Sequence, residues 1–242
     1  MYYRQNRTVA YSQCDVNNQL KLSGALQYMQ QTSSEQLAAL NQSPEHLYQL
    51  GMVFLLVKTN WKIERMPFCS EEISIGTAAV GTKGPRFIRE FVIDSAQGER
   101  LISAYSLWVL TDTHNHRILR PNAYPYSIAF QEPQLAEVVG DIPIPKDPSP
   151  IAERLSYELE IRYSHLDVNR HVNNCIYGDF LCDALPYDVV AAGAIKRLAL
   201  CFQQEARQGD LLQMSARPLS PLSWKVTGTH ARGTCFEALV EL

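Results

Sequence analysis

One phrase occurs twice in this chain, and that repetition limits the possible folds more than any other feature. "AYSQCDVNNQLKL" runs from Ala10 to Leu22, and "RYSHLDVNRHVNN" from Arg162 to Asn174. Both carry Tyr-Ser, two residues, then Asp-Val-Asn at one constant offset. The surrounding grammar is duplicated as well. Before the second copy, Tyr157, Leu159, Ile161 and Tyr163 alternate with Ser156, Glu158, Glu160 and Arg162, the pattern of a half-buried strand. After it, Val172, Ile176, Phe180 and Ala184 recur at helical spacing until Pro186. The first copy is followed by Leu22, Leu26, Met29, Leu37 and Leu40, again one helical face. Several β-rich runs then follow in each half, from "VFLLVKTNWKIE" to "LISAYSLWVLTD" and from "AIKRLALCFQQE" to "CFEALVEL". A unit of strand, long helix and antiparallel strands buries its apolar helix most economically by wrapping the sheet around it. Two such units predict an α+β pseudo-dimer, with a site between them that only one half needs to furnish.

The seam between the units is "EPQLAEVVGDIPIPKDPSP", Glu132 to Pro150, where four prolines crowd the last eight residues. That density excludes a helix interior or a central strand. The reading is therefore a first domain over 1–131, a linker over 132–150 and a second domain over 151–242.

Composition removes several function classes. A net charge of -3 with pI near 6.1 lacks the basic excess of a nucleic-acid binder. No run approaches the roughly 20 apolar residues that span a bilayer, and "MYYRQNRTVAYSQ" has no signal-peptide pattern. Cys14, Cys69, Cys175, Cys182, Cys201 and Cys235 form no CxxC pair and no zinc-like spacing. Reduced cysteines in a cytoplasmic protein, with no metal and no membrane partner, are the expectation. His114 and His116 in "DTHNHRIL" read as a hairpin turn rather than metal ligands.

The chemistry concentrates in the second phrase. Asp167, Asn169 and His171 stand at i, i+2 and i+4, which in extended chain directs all three to one side; between a strand and a helix, an extended or a turn conformation is open to them. A helix start just after them would add free N–H groups for a developing oxyanion. Asp and Asn also build turns and caps for purely local reasons, and Asn173 or Asn174 reads as a cap. Asp15 and Asn17 persist in the first copy, so the role of Asp167 and Asn169 stays open on pattern alone. His171 does not share that ambiguity. Its counterpart Gln19 cannot titrate near neutral pH, whereas His can. Downstream, Glu205 ends the strand-like run "CFQQEARQGD", with Glu64 of "WKIERMPFCSEE" in the matching place.

With these residues in view, the chain resembles the acyl-ACP thioesterases, double hot-dog enzymes of bacteria and plants. "LDVNRHVNN" is similar to the family's Asp-x-Asn-x-His-Val-Asn-Asn signature, and "CFQQEARQGD" to its later strand ending in Glu before a Gly-Asp turn. "LKLSGALQYMQQTSSEQL", "KTNWKIERMPFCSEEISI" and "LWVLTDTHNHRILRP" resemble its N-terminal hot dog. The resemblance implies two tandem hot-dog domains and hydrolysis of fatty acyl-ACP to a free fatty acid and holo-ACP, without a cofactor. It carries catalytic roles onto Asp167, Asn169, His171 and Glu205. Some members have Cys after that Glu; here the residue is Ala206, which excludes a thiol mechanism at that position.

A thiolate leaves readily, its thiol pKa being about 8.5, so the demand falls on activating water and polarising the carbonyl. His171 is expected as general base or proton shuttle, oriented by Glu205, with Asn169 positioning carbonyl or water. Asp167 either orients these groups or attacks to form an acyl-enzyme anhydride. Cys175, Cys182 and Cys201, flanked by apolar residues, are expected to be buried and inert. The resemblance puts the acyl tunnel chiefly in the first domain, where Leu26, Met29 and Trp61 are candidate lining residues, with core packing the default for each. The expected partner is acyl carrier protein bearing a phosphopantetheine-linked acyl chain. Its acidic surface needs a basic patch, with Lys83, Arg86 and Arg89 or Lys196, Arg197 and Arg207 as candidates. A homodimer is one assembly open to the chain. The rival readings are an acyl-CoA thioesterase and a catalytically silent hot dog that binds acyl chains.

Overall fold

The computed structural model describes residues 2–146 and 155–242. The first half runs β1 (Tyr3–Thr8), α1 (Leu22–Ala39), α2 (Pro44–Gln49), β2 (Met52–Ile63), β3 (Glu72–Lys83), β4 (Arg86–Ser95), β5 (Arg100–Asp112) and the short β6 (Ile118–Leu119). The second runs β7 (Leu155–Glu160), α3 (Tyr177–Ala184), α4 (Tyr187–Ala191), β8 (Arg197–Phe202), β9 (Leu211–Ser220), β10 (Ser223–His230) and β11 (Gly233–Glu241). All the strands join one antiparallel sheet in the order β1-β3-β4-β5-β2-β8-β11-β10-β9-β7, with β6 paired to β5. Once the halves are matched strand for strand, that order reads the same from either end. Its centre is the β2–β8 ladder, where Asn60 faces Ala199 between Thr59↔Leu200 and Trp61↔Leu198.

The pleat decides what each face does. On β2, Thr59, Trp61 and Ile63 turn inward, where Trp61 is fully buried in the main core with Leu26 and Met29 of α1. Lys58 and Asn60 turn outward and bind the strap that follows β6. Lys58 Nζ donates to Asp141 Oδ1 and Ile142 O, and Ile142 N donates to Asn60 Oδ1 at 3.0 Å. Farther back, buried Glu90 accepts from Tyr2 Oη and from the Gln134 and Leu135 N–H groups. Residues 132–146 therefore have no regular structure, as the prolines require, yet they lie pinned across the outer face of the sheet. Pro148, Pro150 and residues 151–154 lie outside the described residues.

Two sequence expectations are corrected here. The strand before the second phrase was expected through Tyr163. It stops at Glu160, and Tyr163–His165 forms a 3₁₀ turn with Tyr163 84% exposed. The long second helix also shrinks. Asn173 Oδ1 accepts the Cys175 N–H at 2.9 Å and Asn173 O accepts the Ile176 N–H, so 173–176 is a capped turn and α3 holds only 8 residues against 18 in α1. The two helices touch where Gly178 meets Ser23, and Ser23 Oγ donates to Asp179 Oδ1 at 2.6 Å. Each half is a helix packed into the curl of antiparallel strands, the hot-dog arrangement. Among the described residues no helix is long and apolar enough to cross a membrane. His114 and His116 sit in the β5–β6 hairpin, whose Asp112 Oδ1 accepts the His114 and Asn115 N–H groups.

Candidate active site

The repeated phrase folds twice into the same loop. In the second copy Leu166 bridges Val172, Asp167 N–H donates to His171 O at 2.8 Å, and Asp167 Oδ1 accepts the N–H groups of Asn169 (2.8 Å) and His171 (3.3 Å). In the first, Cys14 bridges Leu20, and Asp15 Oδ1 accepts from Asn17 N (2.9 Å) and Gln19 N (3.0 Å). Arg170 (φ 64) and Asn18 (φ 60) take the same left-handed turn position. Asp167 is thus first a loop builder, which explains why its counterpart survives where His does not. Of the extended and turn conformations open to the phrase, it takes the turn, capped by the Asp167 side chain.

A second loop completes the group. His171 bridges Arg207, and Val172 N–H donates to Ala206 O at 2.9 Å, which draws the β8–β9 connection alongside. Glu205 Oε2 then lies 2.6 Å from His171 Nε2, and Glu205 Oε1 meets the Arg207 guanidinium. The main chain here is held from behind. Asp210 accepts the Arg207 N–H at 2.7 Å and pairs with both terminal nitrogens of Arg232, at 2.9 and 2.7 Å. Arg232 and His230 also reach Glu205 O, at 3.2 and 3.1 Å. The Arg232 guanidinium holds the Asp210 carboxyl well below its usual range, down to about 2, against the opposing effect of burial.

Asn169 sends Nδ2 to Asp167 Oδ2 at 3.3 Å, so the carboxylate orients it. Asp167, Asn169, His171 and Glu205 are therefore all in one cluster. Three residues beyond His171 an apolar cleft opens. Asn174 and Cys175 of the second half stand at one end, with Leu26, Met29 and Gln30 of α1 and Leu56, Thr59, Phe91, Ser106 and Trp108 of the first-half sheet around it. A bulge between Leu56 and Lys58 lets Leu56 and Thr59 share this face despite their spacing. Leu26 and Met29, candidates on the resemblance, stand at the cleft and are at the same time part of the core. Trp61 does not; it is sealed in the core, and its ring N–H donates to Thr59 Oγ1. Cys175 Sγ donates to Gln30 Oε1 at 3.1 Å, and burial pushes its thiol up to about 12, so it is no nucleophile at neutral pH. Burial likewise raises Cys182 to about 12 and moves Cys201 upward.

Sequence reasoning missed Gln30, Asn174 and the Asp210–Arg232 clamp. A polar residue beside Met29 on the helix was the available signal for Gln30; nothing local marked Arg232. The matching of Glu64 with Glu205 is also corrected. Gln19 bridges Phe68 as His171 bridges Arg207, and Leu20 N bonds Pro67 O as Val172 N bonds Ala206 O. In that register Met66 occupies the Glu205 position. Gln19 and Met66 indeed line a cleft together with Asp15, closed over by α4 and Gly193. Of the basic candidates, Arg89 is no surface residue, because it points inward to Gln36 and Thr77.

The comparisons with known proteins agree with this architecture. The acyl-ACP thioesterase N-terminal domain model matches residues 1–122 and the C-terminal domain model residues 149–232. A palmitoyl-acyl carrier protein thioesterase, chloroplastic, of Cuphea hookeriana is 24% identical over 88% of this chain and 54% of its own. Oleoyl-acyl carrier protein thioesterase 2, chloroplastic, of Arabidopsis thaliana is 27% identical over 77% and 53%. The chain thus spans about half the length of the curated relatives it matches. Among solved structures, the 12:0-ACP thioesterase from Umbellularia californica superposes with TM-score 0.83 at 17% identity, over 99% of this chain and 96% of that one. An acyl-ACP thioesterase from Bacteroides thetaiotaomicron gives TM-score 0.80 at 17% identity, over 99% and 97%. With both domain models matched, one on each half, this chain belongs to the acyl-ACP thioesterase family.

Proposed function

We propose that this protein hydrolyses the thioester of fatty acyl-ACP, with the chemistry in the second half (151–242) and the acyl chain in the first (1–131), joined by the 132–150 segment. The observation that carries the reading is the 2.6 Å approach of His171 Nε2 to Glu205 Oε2 beside an apolar cleft that runs into the other half. The names of the relatives supply the carrier and the reaction class.

In this scheme Glu205 fixes the imidazole through Nε2, and Nδ1 of His171 takes a proton from water as its oxygen attacks the thioester carbon. The oxyanion is met by Asn169 and by the Asn174 N–H, which has no acceptor among the described residues. The C–S bond then breaks, and the pantetheine thiolate takes the proton back from the imidazolium, a step its low basicity makes easy. Asp167 acts as the orienting group. Both its oxygens are already engaged, by two main-chain N–H groups and by Asn169, which disfavours a role as nucleophile. Exposed Arg170, Arg207 and Arg232 flank the loop and supply positive charge for an acidic carrier. Six free cysteines suit a reducing, cytoplasmic setting.

Purified protein incubated with acyl-ACP and acyl-CoA of matched chain lengths tests the reading. Turnover of acyl-ACP with weak turnover of acyl-CoA is expected. Preference for CoA would reassign the carrier, and tight binding without turnover would make the protein an acyl sensor.

A further inference from the structure

Behind Glu205 the two halves share one clamp and differ at one residue. Residues 203–206 run between β8 and β9 without regular structure, so the Glu205 side chain is only as well placed as its main chain is held. In the second half Asp210 accepts the Arg207 N–H and pairs with Arg232, and Arg232 Nη2 donates to Glu205 O at 3.2 Å. In the first half Glu71 accepts the Phe68 N–H at 2.8 Å and pairs with both terminal nitrogens of Arg65, at 2.9 and 2.8 Å. Arg65 Nη1 in turn donates to Met66 O at 3.4 Å. Carboxylate, guanidinium and carbonyl therefore recur in the half where no catalysis is proposed. That clamp builds the loop.

The differing residue is His230. Val9 N bonds Glu71 O as Ile161 N bonds Asp210 O, so Ile73 of β3 corresponds to Leu212 of β9. Ser95 pairs with Ile73, and His230, one residue past the Thr229↔Gln213 pair, stands opposite Leu212. Ser95 Oγ bonds within its own turn, accepting the Glu99 N–H at 3.2 Å. His230 is buried and crosses instead to the catalytic loop, with Nε2 3.1 Å from Glu205 O. The Arg232 N–H donates to His230 Nδ1 at 3.2 Å, so Nδ1 is the acceptor and Nε2 carries the proton. Glu205 O thus takes two hydrogen bonds, and one comes from a residue that the silent half replaces with Ser.

We propose that His230 is a positioning residue for the His171–Glu205 pair. This rests on the hydrolytic reading of that pair. The imidazole of His230 fixes the Glu205 carbonyl, and the fixed main chain sends Oε2 to within 2.6 Å of His171 Nε2. A slip of ~1 Å in that main chain would carry the contact out of hydrogen-bonding range. His171 would then lose the partner that sets which ring nitrogen faces the water. Arg207 cannot supply the same hold, because it pairs with Glu205 from the same loop and moves with it. The contrast between His230 and Ser95 repeats the one between His171 and Gln19. The shared residues shape the loop, and the changed ones belong to the chemistry.

The test compares the wild type with His230→Leu and His230→Gln. Gln offers an amide N–H near the place of the ring Nε2–H, whereas Leu fills the space without a donor. His230→Leu is expected to fold, because Arg232 still reaches Glu205 O. Its kcat with acyl-ACP should fall about a hundredfold with KM within about threefold. His230→Gln should return kcat to within about fivefold of the wild type. The downfield proton resonance of the His171–Glu205 hydrogen bond, assigned by its loss in His171→Gln, should persist in His230→Gln and vanish in His230→Leu. Wild-type kcat in a folded His230→Leu overturns the proposal, and so does an equal loss in both variants. Should the Leu variant not fold, His230→Ser, the first half's choice, takes its place under the same criteria. Failure of both to fold makes His230 a structural residue and overturns the proposal as well. If the wild type hydrolyses no acyl-ACP, the thioesterase reading fails separately. The resonance then decides alone, and its survival in His230→Leu overturns the positioning role.

Discussion

Met66 stands in the first half where Glu205 stands in the second, and each faces the corresponding loop residue, Gln19 or His171. The pair differs in chemistry while the surrounding backbone is shared. Because Gln19 occupies the same bridged loop position, the frame accepts Gln there without strain. His171→Gln should therefore lower kcat by about 10²–10⁴ and leave stability within about 1 kcal/mol. Steady-state kinetics with thermal unfolding on one preparation checks both. Near-normal turnover would remove His171 from its role. Glu205→Met, the other first-half residue, should cost kcat similarly with a small change in KM.

How much of this was legible beforehand follows from where the repeat keeps step. Strand and phrase recur at one offset with a helix after each, and each member of the phrase marks a local structure: Asp for the loop, Asn for the turn, apolar spacing for the buried face. Two units of one helix wrapped by antiparallel strands were readable on those grounds, and the resemblance supplied the hot-dog fold. Register slipped between the phrase and the next strand, since α1 is 18 residues and α3 is 8. Glu64 consequently looked like the partner of Glu205 when Met66 is. The Asp210–Arg232 clamp and the Arg89–Gln36 contact join positions far apart in the chain, and no periodicity reports such pairings.

Asp167 has both carboxylate oxygens occupied by its own loop. Single-turnover hydrolysis in heavy-oxygen water should thus leave no label in the Asp167 carboxylate. Label there, found by peptide mass analysis, would establish direct attack through an anhydride. Asp167→Asn keeps one acceptor oxygen for the loop. It should fold, with a stability loss of about 1 kcal/mol and reduced kcat from a less firmly oriented Asn169.

Cys175 stands at the cleft, yet burial raises its pKa to about 12 and its proton is committed to Gln30. The thiolate fraction at pH 8 is then on the order of 10⁻⁴. Iodoacetamide at that pH should not abolish the proposed hydrolysis through Cys175, and Cys175→Ala should retain that activity within about fivefold. Loss of turnover matching alkylation of Cys175, followed by mass spectrometry, would contradict this.

Asp210 contributes a pH-dependent part of the stability. Arg232 lowers its folded-state pKa to about 2 from the usual 3.8, so the native state favours the ionised form. The gain is fully present above the unfolded value and is lost as pH falls through the folded one, between about pH 4 and pH 2. Arg232 is half exposed, and screening limits the contribution to about 1 kcal/mol. Urea midpoints of the wild type and Arg232→Gln should differ at pH 6 and converge through that window. A gap that widens on acidification would reverse the assignment.

Gly178 decides how closely the two helices approach. A Cβ there would lie 2.7 Å from Ser23 N, 3.1 Å from Ser23 Cα and 3.2 Å from Leu22 C, all main chain that no rotamer change can clear. Gly178→Ala should therefore force α3 away from α1, costing about 1–3 kcal/mol and straining the Ser23–Asp179 hydrogen bond. Asn174 and Cys175 enter the cleft just before α3, opposite Gln30 of α1, so the same displacement moves the proposed oxyanion donor from the acyl mouth. The variant should lose kcat in excess of its stability loss even well below its Tm. Chemical denaturation paired with kinetics at low temperature separates the two effects, and full activity in a destabilised Gly178→Ala would show that helix spacing does not set the site.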